Sequence, residues 1–217
     1  MELFDVEETN VWGERKVEAV NFAVGPRIML QSGFWFDFLD PESSKFDIND
    51  IAVGLSKTCR YAGQCSGFYS VAEHSLLVSD TAPEHAYAAL MHDAAEAFIG
   101  DITRPLKQLL PDFKRIEALV ESAIFNRFSV PHPMPIEVKA ADLRVLAAEQ
   151  AQIMPRETSL WAFESGIEPA TVRVKCLSPD QAREKFLSRF YELFTQTSTT
   201  RAASELYHNS HLPQRQM

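Results

Sequence analysis

Apolar residues recur every three or four positions along most of this chain, a spacing typical of amphipathic helices that pack on a common core. The helices predicted from this spacing cover residues 49–59, 70–80, 83–99, 114–128, 136–149 and a final stretch that starts at 179. The predicted ends carry suitable residues. Ser70 with Glu73, and Ser178 with Gln181, have the sequence pattern of a capping box. Gly100 suits the position just past a helix end.

Strand-like alternation is confined to two short segments. In residues 27–39, Phe34, Phe36 and Phe38 alternate with Trp35 and Asp37, which predicts a hairpin with its turn at Gln31–Gly33. Residues 171–175 suggest one further strand within an otherwise irregular segment, 155–177. We therefore expect a mainly α protein with a small N-terminal β-hairpin. The predicted divisions are an N-terminal extension at 1–25, one helical domain at 26–196 and a C-terminal tail at 197–217.

Bulk composition narrows the range of partners and compartments. The 217 residues are 46% hydrophobic and 24% charged, as in globular proteins, and the formal net charge is −9. That charge argues against binding of a nucleic-acid polymer through a broad basic surface. No apolar run reaches the length of about 18 residues that indicates a membrane span, and the acidic N-terminus is unlike a signal peptide. Three cysteines at unrelated spacings fit a reducing compartment. We expect a cytoplasmic protein, in a bacterial cell or in the host cell of a phage.

Four residues of metal-ligand type occupy positions where helical spacing would otherwise place an apolar side chain. They are His74, the adjacent pair His92 and Asp93, and Asp142, on three predicted helices. Alone, an inward histidine is commonly a hydrogen-bonded core residue, and an inward aspartate a capping or ion-pairing group. Burying all four without partners would be costly, and a divalent cation among them would offset that cost. Two nitrogen and two oxygen donors suit Mn²⁺, Co²⁺, Zn²⁺ or Fe²⁺ better than Mg²⁺. The pattern predicts one divalent transition metal.

These residues stand in longer runs that resemble a known family. The runs Arg60–Tyr61, Tyr69–Ser75 and Met91–Lys107, followed by Asp142, are similar to the HD-domain phosphohydrolase superfamily, which is named for its His-Asp pair. Within that superfamily they resemble the bacterial 5′-deoxynucleotidases and, equally, the phage dATP triphosphohydrolases. The resemblance spans roughly residues 28–195. It implies an HD-domain helical bundle that hydrolyses the 5′-phosphate ester of a (deoxy)nucleotide and releases either phosphate or tripolyphosphate.

The resemblance also implies how the chemistry is divided among the matching residues. The metal ligands would be His74, His92, Asp93 and Asp142, with Asp93 also counted as catalytic. Glu96, one helical turn beyond His92, would orient or deprotonate the attacking water. Arg60 would bind the phosphate under attack, because a guanidinium fork matches two phosphate oxygens.

Four further residues would contact the nucleotide. The resemblance implies that Asp101 accepts a hydrogen bond from the sugar 3′-hydroxyl. Tyr61 lies where the 5′-deoxynucleotidases carry a tryptophan that excludes a ribose 2′-hydroxyl. Arg104 and Lys107 are either additional phosphate ligands, as a triphosphate would require, or charged residues of a solvated turn.

Two other functions fit the same metal ligands. A catalytically silent sensor would bind metal and nucleotide without turnover. A guanosine alarmone hydrolase would share the ligands, but its additional acidic motifs around the His-Asp pair are not present here. In each case the partner is a small-molecule nucleotide, and by analogy with the helical relatives we expect a homo-oligomer.

Overall fold

The structure, a computed structural model, describes residues 25–155 and 157–196 in full, and only the backbone of residues 8–9, 15–16 and 197–210. Most of the predicted extension at 1–25 therefore lies outside the described residues. Within them the chain is mainly helical, as the sequence predicts. The α-helices are α1 (Ile48–Lys57), α2 (Val71–Thr81), α3 (Ala86–Met91), α4 (Glu96–Ile99), α5 (Arg104–Lys107), α6 (Pro111–Phe128), α7 (Ile136–Ile153), α8 (Leu160–Glu164) and α9 (Pro179–Ser210). Short 3₁₀ turns form at Arg60–Gly63 and Pro83–His85.

The strands form two small antiparallel pairs. Strand β1 (Glu8–Thr9) pairs with β2 (Arg15–Lys16), and β3 (Arg27–Met29) with β4 (Trp35–Asp37), which confirms the hairpin predicted at residues 27–39. Phe36 of β4 is fully buried, and its ring stacks on that of Phe98 with centroids 4.1 Å apart. The hairpin is thus held against α4.

Helix α2 lies at the centre of the bundle and packs against α1, α3, α7 and α9. Its N-cap is Ser70, whose hydroxyl accepts a hydrogen bond from the backbone N–H of Glu73, as predicted. The second half of the predicted capping box is wrong. The carboxylate of Glu73 instead accepts the backbone N–H groups of Lys175 and Leu177, at 2.6 and 2.7 Å. This buried side chain therefore ties a distant segment to the helix that carries His74.

The strand predicted at 171–175 does not form, because its backbone finds side-chain partners instead of a neighbouring strand. The amide of Gln152 on α7 accepts from Val174 N at 3.1 Å and donates to Val172 O at 3.1 Å. The alternating valines at these positions reflect an extended backbone. Polar side chains of α2 and α7 supply the hydrogen-bond partners of its N–H and C=O groups.

The helix predicted at 83–99 is divided at the position of the His-Asp pair. After α3 the backbone tightens, with Ala94 N bonded to Met91 O at 3.0 Å and Glu96 N bonded to Asp93 O at 3.0 Å. These three-residue spacings are those of a 3₁₀ turn. Gly100 follows α4 with φ 77°, as expected for the residue past a helix end.

The last helix begins where the sequence predicts, with the capping pair of Ser178 and Gln181. The apolar spacing of this helix predicts that Phe186, Phe190 and Phe194 are buried. Phe186 and Phe190 are, whereas Phe194 remains 40% exposed. Helix α9 continues to Ser210, so residues 197–210 extend it beyond the predicted domain end at 196. Among the described helices, none is both long and apolar enough to cross a membrane.

Candidate metal centre

Three of the four predicted metal ligands converge on one point. His74 of α2, His92 of the turn after α3 and Asp142 of α7 each offer a ligand atom, and these atoms all lie within 4.8 Å of one another. Nε2 of His74 lies 3.3 Å from Oδ1 of Asp142. Oδ2 of Asp93 lies beside them, 3.2 Å from Nε2 of His92 and 3.5 Å from Nε2 of His74. The group could bind a metal ion.

Contacts of their Nδ1 atoms orient the two imidazoles so that both Nε2 atoms face this common point. Nδ1 of His92 is 2.8 Å from the carbonyl oxygen of Ala89, and Nδ1 of His74 is 2.6 Å from Oε1 of Glu149. With the hydrogen on Nδ1, both Nε2 lone pairs face the common point. Both Nε2 atoms are buried and have no hydrogen-bond partner. Unpaired buried acceptors of this kind are what a bound cation would satisfy.

Charge around His74 compensates for its burial. Burial and the nearby Arg60 guanidinium would lower the pKa of His74, but the carboxylates of Glu149 and Asp142 outweigh them and raise it to about 9. The two carboxylates therefore offset the cost of burying this ring beside Arg60.

The two oxygen atoms of the Asp142 carboxylate face different partners. Oδ1 faces His74, and Oδ2 accepts a hydrogen bond from Nζ of Lys139 at 2.6 Å. Lys139 is 65% exposed and lies at the rim of the site. Asp142 therefore has one oxygen directed at the candidate metal position while the other is already neutralised.

A cavity of about 720 Å³ adjoins the group, and the substrate-contacting residues predicted from the sequence all line it. These residues are Arg60, Tyr61, Asp101, Arg104 and Lys107, together with Asp93, Glu96 and Asp142. An apolar wall, which the sequence pattern does not predict, completes the cavity. Leu143, Leu146 and Trp161 contribute to this wall, and the indole N–H of Trp161 donates to Oε1 of Gln150 at 2.6 Å.

Arg60 lies at the base of the cavity among carboxylates. It is 8% exposed, with one terminal nitrogen 3.6 Å from Oδ2 of Asp93 and 4.0 Å from Oδ2 of Asp101. Its Nε is buried without a hydrogen-bond partner. That Nε lies 3.5 Å from Oε2 of Glu149, so the guanidinium is held among carboxylates near the candidate metal position.

Glu96 combines burial with a free oxygen. It is 7% exposed, and its Oε2 is buried with no hydrogen-bond partner. Burial, followed by repulsion from Asp93 and Asp101, raises the pKa of Glu96 well above its usual range. Nζ of Lys107 lies 3.6 Å from Oε1 of Glu96 but is hydrogen-bonded to Glu117 at 2.6 Å. Lys107 thus reaches the cavity with its charge already paired, whereas Arg104 is exposed.

A buried carboxylate that the sequence analysis did not identify stands behind this site. Glu149 of α7 is fully buried and accepts hydrogen bonds from the hydroxyls of Tyr61 and Tyr69, and from His74. Burial would raise its pKa, but His74 and Arg60 lower it to about 2. A signal was present in the sequence, because Glu149 follows Asp142 by seven residues, which is two helical turns on the same face.

Comparison with known proteins identifies relatives that match about three quarters of this chain. No protein-family model matches the chain. The uncharacterized protein YfdR of Escherichia coli K12 is 44% identical over 163 residues, which are 74% of this chain and 90% of YfdR. An uncharacterized protein of Rhodobacter capsulatus is 33% identical over 188 residues, 78% of this chain and 96% of that protein. The chain belongs to the same family as Escherichia coli YfdR.

Proposed function

We propose that this protein is a metal-dependent phosphohydrolase of the HD type that cleaves the 5′-phosphate ester of (deoxy)nucleotides. One observation carries the proposal. The group of His74, His92 and Asp142 adjoins a cavity that also contains a buried arginine, Arg60, and a buried glutamate with an unpaired oxygen, Glu96. A cation site, an anion-binding group and a base together are the components that hydrolysis of a phosphate ester requires.

The metal would be one divalent transition ion, Mn²⁺, Co²⁺, Zn²⁺ or Fe²⁺, and Asp93 would be its fourth ligand. Such an ion acts as a Lewis acid on a phosphate oxygen and makes water a better nucleophile near neutral pH. The support for Asp93 is its Oδ2, which approaches both Nε2 atoms within 3.5 Å. The two imidazoles favour these ions over Mg²⁺.

Glu96 would orient the attacking water and accept its proton. Its Oε2 is buried and unpaired, and the residue lines the cavity, so a water bound there would be its natural donor. A carboxylate with a raised pKa is a stronger base than an exposed glutamate, which suits proton transfer at neutral pH. Proton transfer by a positioned group of this kind contributes roughly 10²–10⁴-fold to a rate.

Arg60, Asp101 and Tyr61 would bind the nucleotide. The Arg60 guanidinium keeps its charge and would neutralise the phosphate as it is attacked. Asp101, at the same end of the cavity, would accept the 3′-hydroxyl of the sugar. The hydroxyl of Tyr61 donates to Glu149 at 2.7 Å, which leaves the ring to limit the space beside the sugar.

The two candidate reactions differ in how far the cationic surface continues beyond the attacked phosphorus. A dNMP 5′-nucleotidase needs Arg60, whereas a dNTP triphosphohydrolase of the dATP type would also use Arg104 and Lys107. Both residues line the cavity, and Lys107 would have to leave Glu117 to bind a phosphate. The products distinguish the reactions, because one releases phosphate and the other tripolyphosphate.

One assay tests the proposal. Purified protein with Mn²⁺ or Co²⁺ is incubated with dNMPs, NMPs, dNTPs and a guanosine alarmone, and the products are separated by chromatography. We expect nucleoside together with phosphate or tripolyphosphate. Bound nucleotide without product would instead indicate a sensor, and cleavage of the alarmone alone would indicate an alarmone hydrolase. Variants of the candidate base Glu96 are compared with Glu164→Gln, a change at an exposed carboxylate that should leave turnover intact.

A further inference from the structure

Glu149 is a carboxylate whose two oxygen atoms are both occupied within the protein. Oε1 accepts from the hydroxyl of Tyr69 at 2.5 Å and from Nδ1 of His74 at 2.6 Å. Oε2 accepts from the hydroxyl of Tyr61 at 2.7 Å and lies 3.5 Å from Nε of Arg60. A fully buried carboxylate is costly unless such donors surround it. The number of donors around this buried carboxylate points to a specific role.

On one side, Glu149 determines the tautomer and the orientation of the His74 imidazole. The carboxylate accepts the Nδ1 hydrogen, which selects one tautomer of the imidazole and directs the Nε2 lone pair toward Asp142, 3.3 Å away. A carboxylate behind a ligand histidine also makes the imidazole a stronger donor to a cation. His74 has no exposed surface, so its orientation depends on these buried contacts.

On the other side Glu149 holds the wall of the cavity. Tyr61 and Ala62 both have left-handed backbone, with φ 56° and φ 50°, an arrangement that costs free energy for residues other than glycine. The hydroxyl of Tyr61 reaches Glu149, eighty-eight positions away in sequence, and is a contact that can maintain this conformation. The Arg60 guanidinium lies 5.5 Å from the centre of the Tyr61 ring, so it shares the same support.

We infer that Glu149 is a positioning residue that couples the metal centre to the nucleotide-binding wall. Through one carboxylate, the orientation of the ligand His74 depends on Tyr61, and the placement of Tyr61 depends on His74. The inference rests on the proposed function only for the nature of the ligand in the cavity. The link between Tyr61 and His74 through Glu149 follows from the hydrogen bonds alone.

The test measures Co²⁺ affinity by absorption titration of the full chain after chelation. Glu149→Gln should bind Co²⁺ about 10–100-fold more weakly and with an altered visible spectrum, because loss of a carboxylate behind a ligand histidine has effects of that size. The matched control is Glu73→Gln. Glu73 is also a buried carboxylate, 2% exposed, and lies next to His74 on α2, but its partners are the backbone N–H groups of Lys175 and Leu177 and no imidazole. That variant should lose thermal stability and keep its Co²⁺ affinity.

A double-mutant cycle tests the coupling itself. Tyr61→Phe should shift the Co²⁺ dissociation constant at least about threefold in the wild-type background and have no further effect in Glu149→Gln. Strictly additive effects, or a Glu149→Gln variant with wild-type Co²⁺ affinity, would overturn the inference. If Glu149→Gln does not fold, the single Tyr61→Phe variant decides, and an unchanged Co²⁺ affinity refutes the coupling. Because no nucleotide enters these titrations, failure of the protein to hydrolyse any nucleotide would count against the proposed function alone.

Discussion

Gly54 of α1 lies directly against the backbone of Ala97 on α4. A methyl group built on Gly54 would stand 2.8 Å from the Cα atom of Ala97, closer than real side-chain contacts come. Helix α4 is a single turn that carries Glu96 into the cavity, so its position depends on how closely α1 can approach it. The glycine is therefore needed for the placement of the candidate base.

Gly54→Ala is expected to displace α4 and to lower both stability and turnover. Inserting a methyl group into a packed contact typically costs about 1–3 kcal/mol of unfolding free energy. A shift of the base by about 1 Å can reduce kcat by about 10²-fold. Denaturant unfolding and steady-state kinetics measure the two effects, with Lys57→Ala on the exposed face of the same helix as control. Wild-type kcat in a folded Gly54→Ala protein would contradict the assigned position of Glu96.

Asp142→Ala and Glu96→Ala should separate metal binding from chemistry. Without Asp142 the group loses its carboxylate from α7, and we expect the metal content measured by mass spectrometry to fall well below one ion per chain. Glu96→Ala should retain metal and nucleotide and lose about 10²–10⁴-fold in kcat. Full activity in Glu96→Ala would remove the role given to that residue, and full metal content in Asp142→Ala would remove Asp142 from the ligands.

Phe36→Ala should detach the hairpin from the bundle. Phe36 is fully buried and stacks on Phe98, so its removal is expected to cost about 3–5 kcal/mol in unfolding free energy. Phe34, in the same hairpin, is 47% exposed, and Phe34→Ala should cost much less. Urea unfolding followed by circular dichroism compares the two. Equal losses would show that the stack on α4 does not anchor the hairpin.

Glu121 on α6 should make the metal-free protein less stable as the pH rises. Burial, followed by repulsion from Glu117 and Asp93, raises the pKa of Glu121 to about 7. Since the unfolded carboxyl titrates near its ordinary pKa of about 4.3, the folded state binds the extra proton between these values. The unfolding free energy therefore falls as pH rises through that window. This penalty, the loss of stability caused by ionising the buried Glu121, reaches its full size above pH 7.

Glu121→Gln removes this penalty. At pH 8 the variant should be more stable than the wild type by about 1–2 kcal/mol after allowance for solvent screening, and at pH 4 the difference should vanish. Urea titrations of chelated protein at both pH values measure it. Glu184→Gln, at an exposed position of α9, is the control and should show no such dependence. A difference of equal size at the two pH values would refute the raised pKa.

The sequence predicts the three residues of the candidate metal group, His74, His92 and Asp142, because polar residues of metal-ligand type interrupt a helical apolar pattern. His74 and Asp142 fall in apolar stripes, and only that conflict makes them conspicuous. Glu149 occupies the same stripe of α7 as Asp142, but a lone glutamate near a predicted helix end resembles an exposed residue. The seven-residue spacing from Asp142 indicates the face on which Glu149 lies, but its partners Tyr61 and Tyr69 are distant in sequence, so no local pattern predicts its role.

Errors in the predicted secondary structure have the same origin. The alanines of 83–99 favour one continuous helix, and nothing local indicates the tight turn that separates α3 from α4. Residues 171–175 alternate as a strand does, yet Gln152 and Glu73 supply the partners that a neighbouring strand would have supplied. Periodicity reports the conformation that a segment prefers, whereas its hydrogen-bond partners are decided by the tertiary structure.

The hydrogen bond between Asp142 and Lys139 bears on how stable the candidate metal centre is without an ion. In the structure Oδ2 of Asp142 accepts from Nζ of Lys139 at 2.6 Å, so the lysine acts as a counterion at the rim of the site. If the centre binds a cation, its loss would leave this carboxylate partly neutralised, and the polypeptide could stay folded until another ion bound.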